Sequence, residues 1–126
     1  MSIIGIGLDA TELARIDDVL QRYGERFTRR VFTAGEIEYC TRRRFPVPHF
    51  AGRFAAKEAA MKALGTGHSR GVIWKDVEIV RRGGPPTLQL HGAAAAHAAR
   101  LGVRRALVTI THSQTLAFAE VMLLSD

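Results

Sequence analysis

Residues 52–67 read GRFAAKEAAMKALGTG, and this stretch decides the fold prediction. It is rich in alanine, contains no proline and ends on two glycines, residues at which helices often stop. Large apolar residues recur in and just before it at the spacing of one helical stripe, namely Phe50, Phe54, Met61 and Leu64. The alanines between them allow other elements to approach closely. We therefore expect a long central helix that is buried on several sides.

Four charged residues interrupt this apolar helix: Arg53, Lys57, Glu58 and Lys62. Lys57 falls inside the stripe, while Glu58 lies at its edge beside Lys62. Burying an isolated charge costs several kcal/mol unless the charge is paired or bound to an ion, so some of the four should have dedicated partners. The alternative is a plain surface pair of Glu58 and Lys62, worth about 0.3 kcal/mol. The helix alone does not decide between these two interpretations.

The flanking sequence predicts a single α+β domain over residues 1–126. Two helical regions are expected between an N-terminal strand and the basic stretch RRRFPVPH, whose prolines should interrupt helix. A strand hairpin around GGPP, an alanine-rich helix and two further strands follow. The predicted strands are Ser2–Leu8, Asp76–Arg82, Thr87–His91, Arg105–Thr111 and Leu116–Leu124. We expect an antiparallel sheet packed against the long central helix and shorter helices.

The composition restricts the function classes. No apolar run approaches the ~20 residues that cross a membrane, so we expect no membrane association. The N-terminus lacks the basic start of a secretory signal, which predicts a cytoplasmic protein. Cys40 is the only cysteine, which excludes an intrachain disulfide and a cysteine-rich zinc site. The net charge of +6 favours an anionic partner, whether nucleic acid, an acidic protein or a phosphorylated small molecule.

Two carboxylates far apart in sequence could share one ion. Asp9 stands where the first predicted strand runs out, a position typical of a helix N-cap (Asp9 or Thr11 here) and also of metal ligands. Mg²⁺ takes one or two protein carboxylates and leaves its other positions to water and phosphate oxygens. Asp9 and Glu58 could supply the pair, and the basic residues of the helix could neutralise phosphate. This combination suits phosphoryl-type transfer, which depends on positioning and charge stabilisation.

His112 interrupts the last two apolar strands at their connection. A lone histidine is more often structural than functional, but one at this position could act on a proton or contact an oxyanion.

Five segments, taken together, resemble a known family. GIGLDATELARI, FTAGEIEYC, GRFAAKEAAMKALGTG, GGPPTLQL and THSQTLAFAEVML are similar, in order and spacing, to the holo-[acyl-carrier-protein] synthases. These are the small 4'-phosphopantetheinyl transferases of bacterial fatty-acid synthesis. The resemblance covers nearly the whole chain. It implies a Mg²⁺-dependent enzyme that moves the 4'-phosphopantetheine group of coenzyme A to a serine of apo-acyl carrier protein, releasing adenosine 3',5'-bisphosphate.

The resemblance also implies site residues. The metal ligands would be Asp9 and Glu58, and the catalytic residues Glu58, Lys62 and His112, the last near the pyrophosphate. Coenzyme A would be bound by Arg53, Lys57, Lys62, Gly65, Pro86 and His112, with Arg53 and Lys57 either binding phosphate or pairing with the carboxylates. Arg15 would meet the acidic carrier protein. Family members are typically homotrimers whose active sites lie between subunits. Pro85 stands where the family has a basic residue, but no proposed ligand is missing.

Two other readings remain open. TRRVF and TRRRF could belong to a basic nucleic-acid-binding module without catalysis. Against this, the arginines are not interleaved with aromatic residues as in single-strand binders, and no recognised nucleic-acid motif is present. The chain could instead be an inactive relative inside a larger complex, which the retained candidate residues count against. For the transferase, the base could be a carboxylate acting through water or His112.

Overall fold

The long central helix lies across one face of a three-stranded antiparallel sheet. The computed structural model describes residues 1–126. Its elements are β1 (Ile3–Glu12), α1 (Leu13–Tyr23), α2 (Glu25–Val31), α3 (Ala34–Thr41), α4 (Pro46–Leu64), β2 (Val77–Val80), β3 (Thr87–Leu90), α5 (Gly92–Leu101), β4 (Arg105–His112) and β5 (Leu116–Leu124). The sheet has the order β1-β5-β4, and β2 and β3 form a separate antiparallel hairpin. The predicted α+β class is confirmed.

The central helix α4 begins earlier than the sequence predicted. Pro46 and Pro48 do not interrupt helix but lie in the first turn of α4. Proline fits there because the N–H groups of the first turn have no partner inside the helix. At the other end, Gly65 ends the helix in a left-handed conformation, with φ of 75°, which favours glycine. The prediction that the prolines of RRRFPVPH interrupt helix was therefore wrong.

The first strand is longer than predicted. β1 continues to Glu12 because β5 is long enough to pair with it, and Glu12 lies opposite Leu116. Asp9 consequently lies inside the strand, opposite Ala119. The N-cap of α1 is Glu12 rather than Asp9 or Thr11. The carboxylate of Asp9 is thus not used for capping.

Two glycines let β1 pack directly on the backbone of α4. A Cβ atom at Gly7 would overlap the carbonyl oxygen of Ala59, and one at Gly5 would overlap that of Ala63. Only glycine allows so close an approach, since backbone atoms cannot move aside as a flexible side chain can. The contact fixes Asp9, two residues beyond Gly7, relative to the following turns of α4.

Helix α4 takes part in both hydrophobic clusters of the core. One cluster lies between α4, the inner face of the sheet, α5 and the β2–β3 hairpin, and the other lies between α4 and helices α1 to α3. Because 13 of its 19 residues are buried, α4 is covered on most sides, as its alanines predicted. None of the helices is both long and apolar enough to span a membrane.

The hairpin is tied to α3 through Glu78, and this tie should make stability pH-dependent. Its carboxylate accepts a hydrogen bond from Thr33 Oγ1 (2.8 Å) and lies 2.9 Å from His91 Nε2. Burial alone raises the pKa of Glu78, but the hydrogen bonds of His91 and Thr33 outweigh it, and the pKa lies below its usual value.

The stabilisation from Glu78 is present above the ordinary carboxyl pKa and is lost as the pH falls through the lowered folded value. We expect the free energy of unfolding, measured by urea titration from pH 6 to pH 3, to fall less steeply with acid in Glu78→Gln than in the unchanged protein. Glu25→Gln, an exposed carboxylate, should keep the original slope. Equal slopes for all three proteins would contradict the role of Glu78.

Candidate active site

Asp9, Glu58 and Lys62 form one charged group where β1 crosses α4. Lys62 Nζ lies 2.8 Å from Asp9 Oδ1 and donates to the Leu8 carbonyl at 3.2 Å. Glu58 lies one helical turn before Lys62. The hydrogen bond and charge of Asp9, and then the charge of Glu58, raise the pKa of Lys62. The structure therefore brings these three predicted residues together, with the lysine ammonium near both acidic side chains.

The donor set suits a hard cation that takes most of its ligands from elsewhere. The side chains of Asp9 and Glu58 are 18% and 28% exposed, so both carboxylates are half-buried and still open to solvent. No group of three or more His, Cys, Asp or Glu side chains is placed to hold a metal. Two carboxylates without further protein ligands match Mg²⁺, which keeps positions for water and phosphate. The residues thus fit such an ion.

An aromatic stack flanks Glu58. His68 Nε2 lies 3.9 Å from Glu58 Oε2. The His68 ring packs on Trp74, with ring centroids 4.4 Å apart, and Trp74 stacks on Phe54 at 4.8 Å. Sequence reasoning missed His68, because it lies in the loop after α4 and no periodic pattern reaches it.

A second group of candidate residues surrounds a cavity of about 450 Å³ between α3, α4 and the end of β2. We call this cavity the arginine pocket, because its lining includes Arg42, Arg43, Arg53, Arg81 and Arg82. Arg53 is 5% exposed, its guanidinium lies 4.1 Å from the ring centroid of Tyr39, and its Nε has no hydrogen-bond partner. A buried guanidinium nitrogen without a partner favours an anionic ligand.

Sequence reasoning found only Arg53 of this pocket. The other arginines lie in the basic stretch RRRF and at the end of the predicted strand Asp76–Arg82, and no pattern in the sequence linked the two segments. Only the packing of α3 against β2 brings them together. Pro86, which was predicted to help bind the cofactor, follows the turn in which Arg81 Nε donates to the Gly84 carbonyl at 2.9 Å.

His112 lies on the arginine-pocket side of the molecule. It is the last residue of β4, is exposed, and its Nδ1 is 3.1 Å from the Ser113 carbonyl oxygen. Burial and then the charges of Arg53, Arg43 and His112 lower the pKa of His49, which places these groups near one another. No contact joins His112 to Asp9 or Glu58. Asp9 lies in β1 and His112 ends β4, and these strands are the two edges of the sheet, with β5 between them.

Lys57 does not fit a phosphate-binding role. It is fully buried, and its Nζ lies 2.7 Å from Glu36 Oε1. It also donates to the carbonyls of Trp74 and Val77. Burial lowers the pKa of Lys57, against which the charge and hydrogen bond of Glu36 act. Because an ammonium has three donors, none is left for phosphate. Lys57 pairs with a carboxylate, but the carboxylate is Glu36 rather than a candidate metal ligand.

Arg15 lies on an exposed basic surface. Its guanidinium carbon is 5.9 Å from the ring centroid of Phe54. Arg15, Arg26 and Arg30 are exposed on α1 and α2 and make no ion pair, whereas Arg22 and Arg29 are paired along their own helices. An acidic surface would therefore meet three uncompensated positive charges here.

Comparison with known proteins identifies the family of this chain. The family described as the 4'-phosphopantetheinyl transferase superfamily matches residues 5–119. A holo-[acyl-carrier-protein] synthase of Solibacter usitatus is 48% identical over 122 residues, covering 96% of this chain and 98% of that protein. The crystal structure of a holo-[acyl-carrier-protein] synthase from Neisseria meningitidis gives a TM-score of 0.89 at 30% identity, covering 98% and 99% of the two chains.

One further solved structure bears on the ligand. The holo-[acyl-carrier-protein] synthase of Bacillus anthracis, described as a complex with coenzyme A (3',5'-ADP), gives a TM-score of 0.80 at 33% identity, with 98% of each chain covered. Sequence motifs, fold and relatives agree over nearly the whole length. The chain belongs to the 4'-phosphopantetheinyl transferase superfamily and, within it, to the holo-[acyl-carrier-protein] synthases.

Proposed function

We propose that this synthase transfers the 4'-phosphopantetheine group of coenzyme A to a serine of apo-acyl carrier protein, with Mg²⁺ held by Asp9 and Glu58. The observation that carries the proposal is the contact between Lys62 and Asp9, which joins β1 to α4 beside Glu58. It brings two acidic side chains from distant parts of the sequence around one positive charge. The coenzyme A complex of the Bacillus anthracis relative supports the same donor here.

In the reaction, the serine oxygen forms a bond to the β-phosphorus of coenzyme A. The bond from that phosphorus to the bridging oxygen breaks, and adenosine 3',5'-bisphosphate leaves. Bound Mg²⁺ would polarise the phosphate oxygens and offset their charge. Lys62, whose side chain is 55% exposed, can move to a phosphate oxygen and take up charge as the leaving group departs. We assign the serine proton to a carboxylate of this group, with His112 as the rival acceptor.

We assign the arginine pocket to the 3'-phosphate of coenzyme A. The pyrophosphate belongs beside Asp9 and Glu58, so the remaining phosphate needs a second cationic site. Arg53 supplies a buried nitrogen without a partner, and Arg43 and Arg81 line the same cavity. The family resemblance implied either phosphate binding or carboxylate pairing for Arg53, and the pocket favours phosphate. Gly65 ends α4, and its predicted part in coenzyme A binding stays a prediction.

We propose that the active protein is a homotrimer, because within one chain no contact joins the arginine pocket or His112 to Asp9 and Glu58. A neighbouring copy would place its arginine pocket and His112 beside Asp9 and Glu58. The sheet face turned away from α4 supports such contacts. It exposes large apolar side chains on all three strands, namely Ile6, Leu8, Leu107 and Phe118. Exposed apolar patches of this kind mark interaction surfaces.

Leu107→Glu should break the trimer and reduce transfer by about 100-fold, since burying an unpaired charge opposes association and the separated chains hold incomplete sites. Light scattering at the assay concentration gives the mass, and a transfer assay gives the activity. Leu101→Glu on α5, also a partly exposed leucine, should stay trimeric and active. A fully active monomer would contradict a shared site.

The basic surface of α1 and α2 is proposed to receive the acidic carrier protein, with Arg15 among the contacts. We expect no nucleic-acid function. A gel shift tests the alternative function, a nucleic-acid-binding module. Tight binding of nucleic acid at about 200 mM salt would favour it. The predicted cytoplasmic location remains a prediction.

The direct test of function uses intact mass. The chain is incubated with coenzyme A, Mg²⁺ and apo-acyl carrier protein, and the carrier should gain the mass of one phosphopantetheine group. The gain should disappear with a chelator and return with added Mg²⁺. Absence of any gain with an active reference synthase in parallel would overturn the proposed function.

A further inference from the structure

The ion pair of Lys57 and Glu36 has no part in the chemistry described above, although both side chains are completely buried. A buried ion pair is weak evidence for stability, because well-packed apolar residues of similar volume often stabilise a fold equally well. Stability alone therefore does not explain why this pair is buried here. Its other hydrogen bonds suggest a different role.

The pair joins three elements at one point. Glu36 Oε1 accepts from the backbone N–H of Thr33 at the start of α3, and Glu36 Oε2 accepts from the N–H of Ile79 in β2, both at 2.9 Å. Lys57 extends from α4 and donates to the carbonyl of Val77, at the start of β2. Rotation or translation of any one element would break charged hydrogen bonds to the other two.

The same three elements form the walls of the arginine pocket. Tyr39 comes from α3 and Arg43 from the residues after it, Arg53 comes from α4, and Arg81 directly follows β2. Arg53 lies one helical turn before Lys57, and Arg81 follows Ile79 by two residues. The buried pair consequently links all three walls of the pocket.

We propose that Lys57 and Glu36 are positioning residues that fix the width of the arginine pocket and so set the preference of the enzyme for coenzyme A over dephospho-coenzyme A. Neither side chain lines the arginine pocket. The inference rests on the assignment of the pocket to the 3'-phosphate. It gives Lys57 an indirect role in cofactor binding in place of the direct one predicted from the sequence.

The test replaces both charges together, because removing one alone leaves the other buried and unpaired. For Glu36→Gln with Lys57→Met, the ratio of kcat/KM for coenzyme A to that for dephospho-coenzyme A should fall about 10-fold, since small misplacements of binding groups have effects of this order. The loss should appear in KM for coenzyme A, while kcat changes by less than about 2-fold. An unchanged ratio, with both substrates used equally less well, would overturn the proposal.

Further variants control for a general loss of stability and for failure of the double variant to fold. Val121→Ala, a core truncation in β5, should lower the melting temperature without changing the ratio. Thr33→Ala serves if the double variant does not fold. It removes the hydroxyl that accepts from Glu36 N–H and donates to Glu78, so Glu78→Gln is measured beside it and should not lower the ratio. Thr33→Ala should lower the ratio about 3-fold, as a smaller displacement would, and Thr33→Ser should restore it. An unchanged ratio in a folded Thr33→Ala protein would also overturn the proposal.

Arg53→Met distinguishes the assignment of the pocket to the 3'-phosphate from the positioning role of Lys57 and Glu36. If it lowers the ratio and the double variant does not, the pocket assignment stands and the positioning role is wrong. If neither changes the ratio, the assignment of the pocket to the 3'-phosphate is itself wrong.

Discussion

Glu58→Gln should reduce Mg²⁺-dependent transfer about 10³-fold, because the substitution removes the charge of one of two proposed metal ligands and preorganised charge contributes on this order to catalysis. Glutamine keeps the shape of the side chain, and the 28% exposure of Glu58 leaves room for its amide. We therefore expect an unchanged circular dichroism spectrum and melting temperature. The assay is the intact mass of the carrier protein at increasing Mg²⁺.

The matched control is Asp126→Asn, which also exchanges an acid for its amide, at an exposed position. It should keep full activity and the same Mg²⁺ dependence. Full activity of the Glu58→Gln protein at all Mg²⁺ concentrations would remove Glu58 from the metal site. It would also remove the reason for the acidic residue on this otherwise buried helix.

Gly7→Ala should destabilise the fold by about 3 kcal/mol, at the upper end of the usual cost of overpacking, because the added Cβ meets backbone rather than a movable side chain. The new methyl would overlap the Ala59 carbonyl oxygen, so β1 and α4 must separate. Asp9 would then move away from Glu58 and Lys62. Denaturant unfolding should show the loss of stability, and transfer activity should fall even in the folded fraction.

Gly84→Ala provides the comparison, since a Cβ at Gly84 meets nothing within 4 Å and its backbone is not left-handed. Its free energy of unfolding should stay within about 0.5 kcal/mol of the original, as for most surface substitutions. If Gly7→Ala were equally harmless, the strand and the helix would not be held at the proposed distance.

The central helix was predictable from sequence because its signal is local. Alanines, a periodic apolar stripe and a closing glycine are all visible within residues 50–67. Its start at Pro46 was not predicted, since proline reads as a helix breaker unless the position of the first turn is known. The extension of β1 through Asp9 was also missed. It depends on the length of β5, more than a hundred residues later.

Some parts of the candidate site were likewise predictable from the sequence, and others were not. The residues themselves suggested that Asp9 and Glu58 could meet, with capping as the alternative for Asp9, and the family resemblance favoured the metal site. The direct contact of Asp9 with Lys62 was not predicted. The arginine pocket could not be predicted from the sequence, because it forms only where α3 packs on β2. Lys57 shows the limit most clearly: its place inside the apolar stripe predicted a dedicated partner, but nothing in the local sequence identified Glu36, 21 positions earlier.

The most direct measurement is a crystal structure of the protein with coenzyme A and Mn²⁺, using the anomalous signal of manganese to locate the ion. We predict one anomalous peak per site, within about 2.2 Å of a carboxylate oxygen of Asp9 and of Glu58, with coenzyme phosphate oxygens completing the coordination. A peak bound by neither side chain, or by only one while the other points away, would contradict the shared metal site.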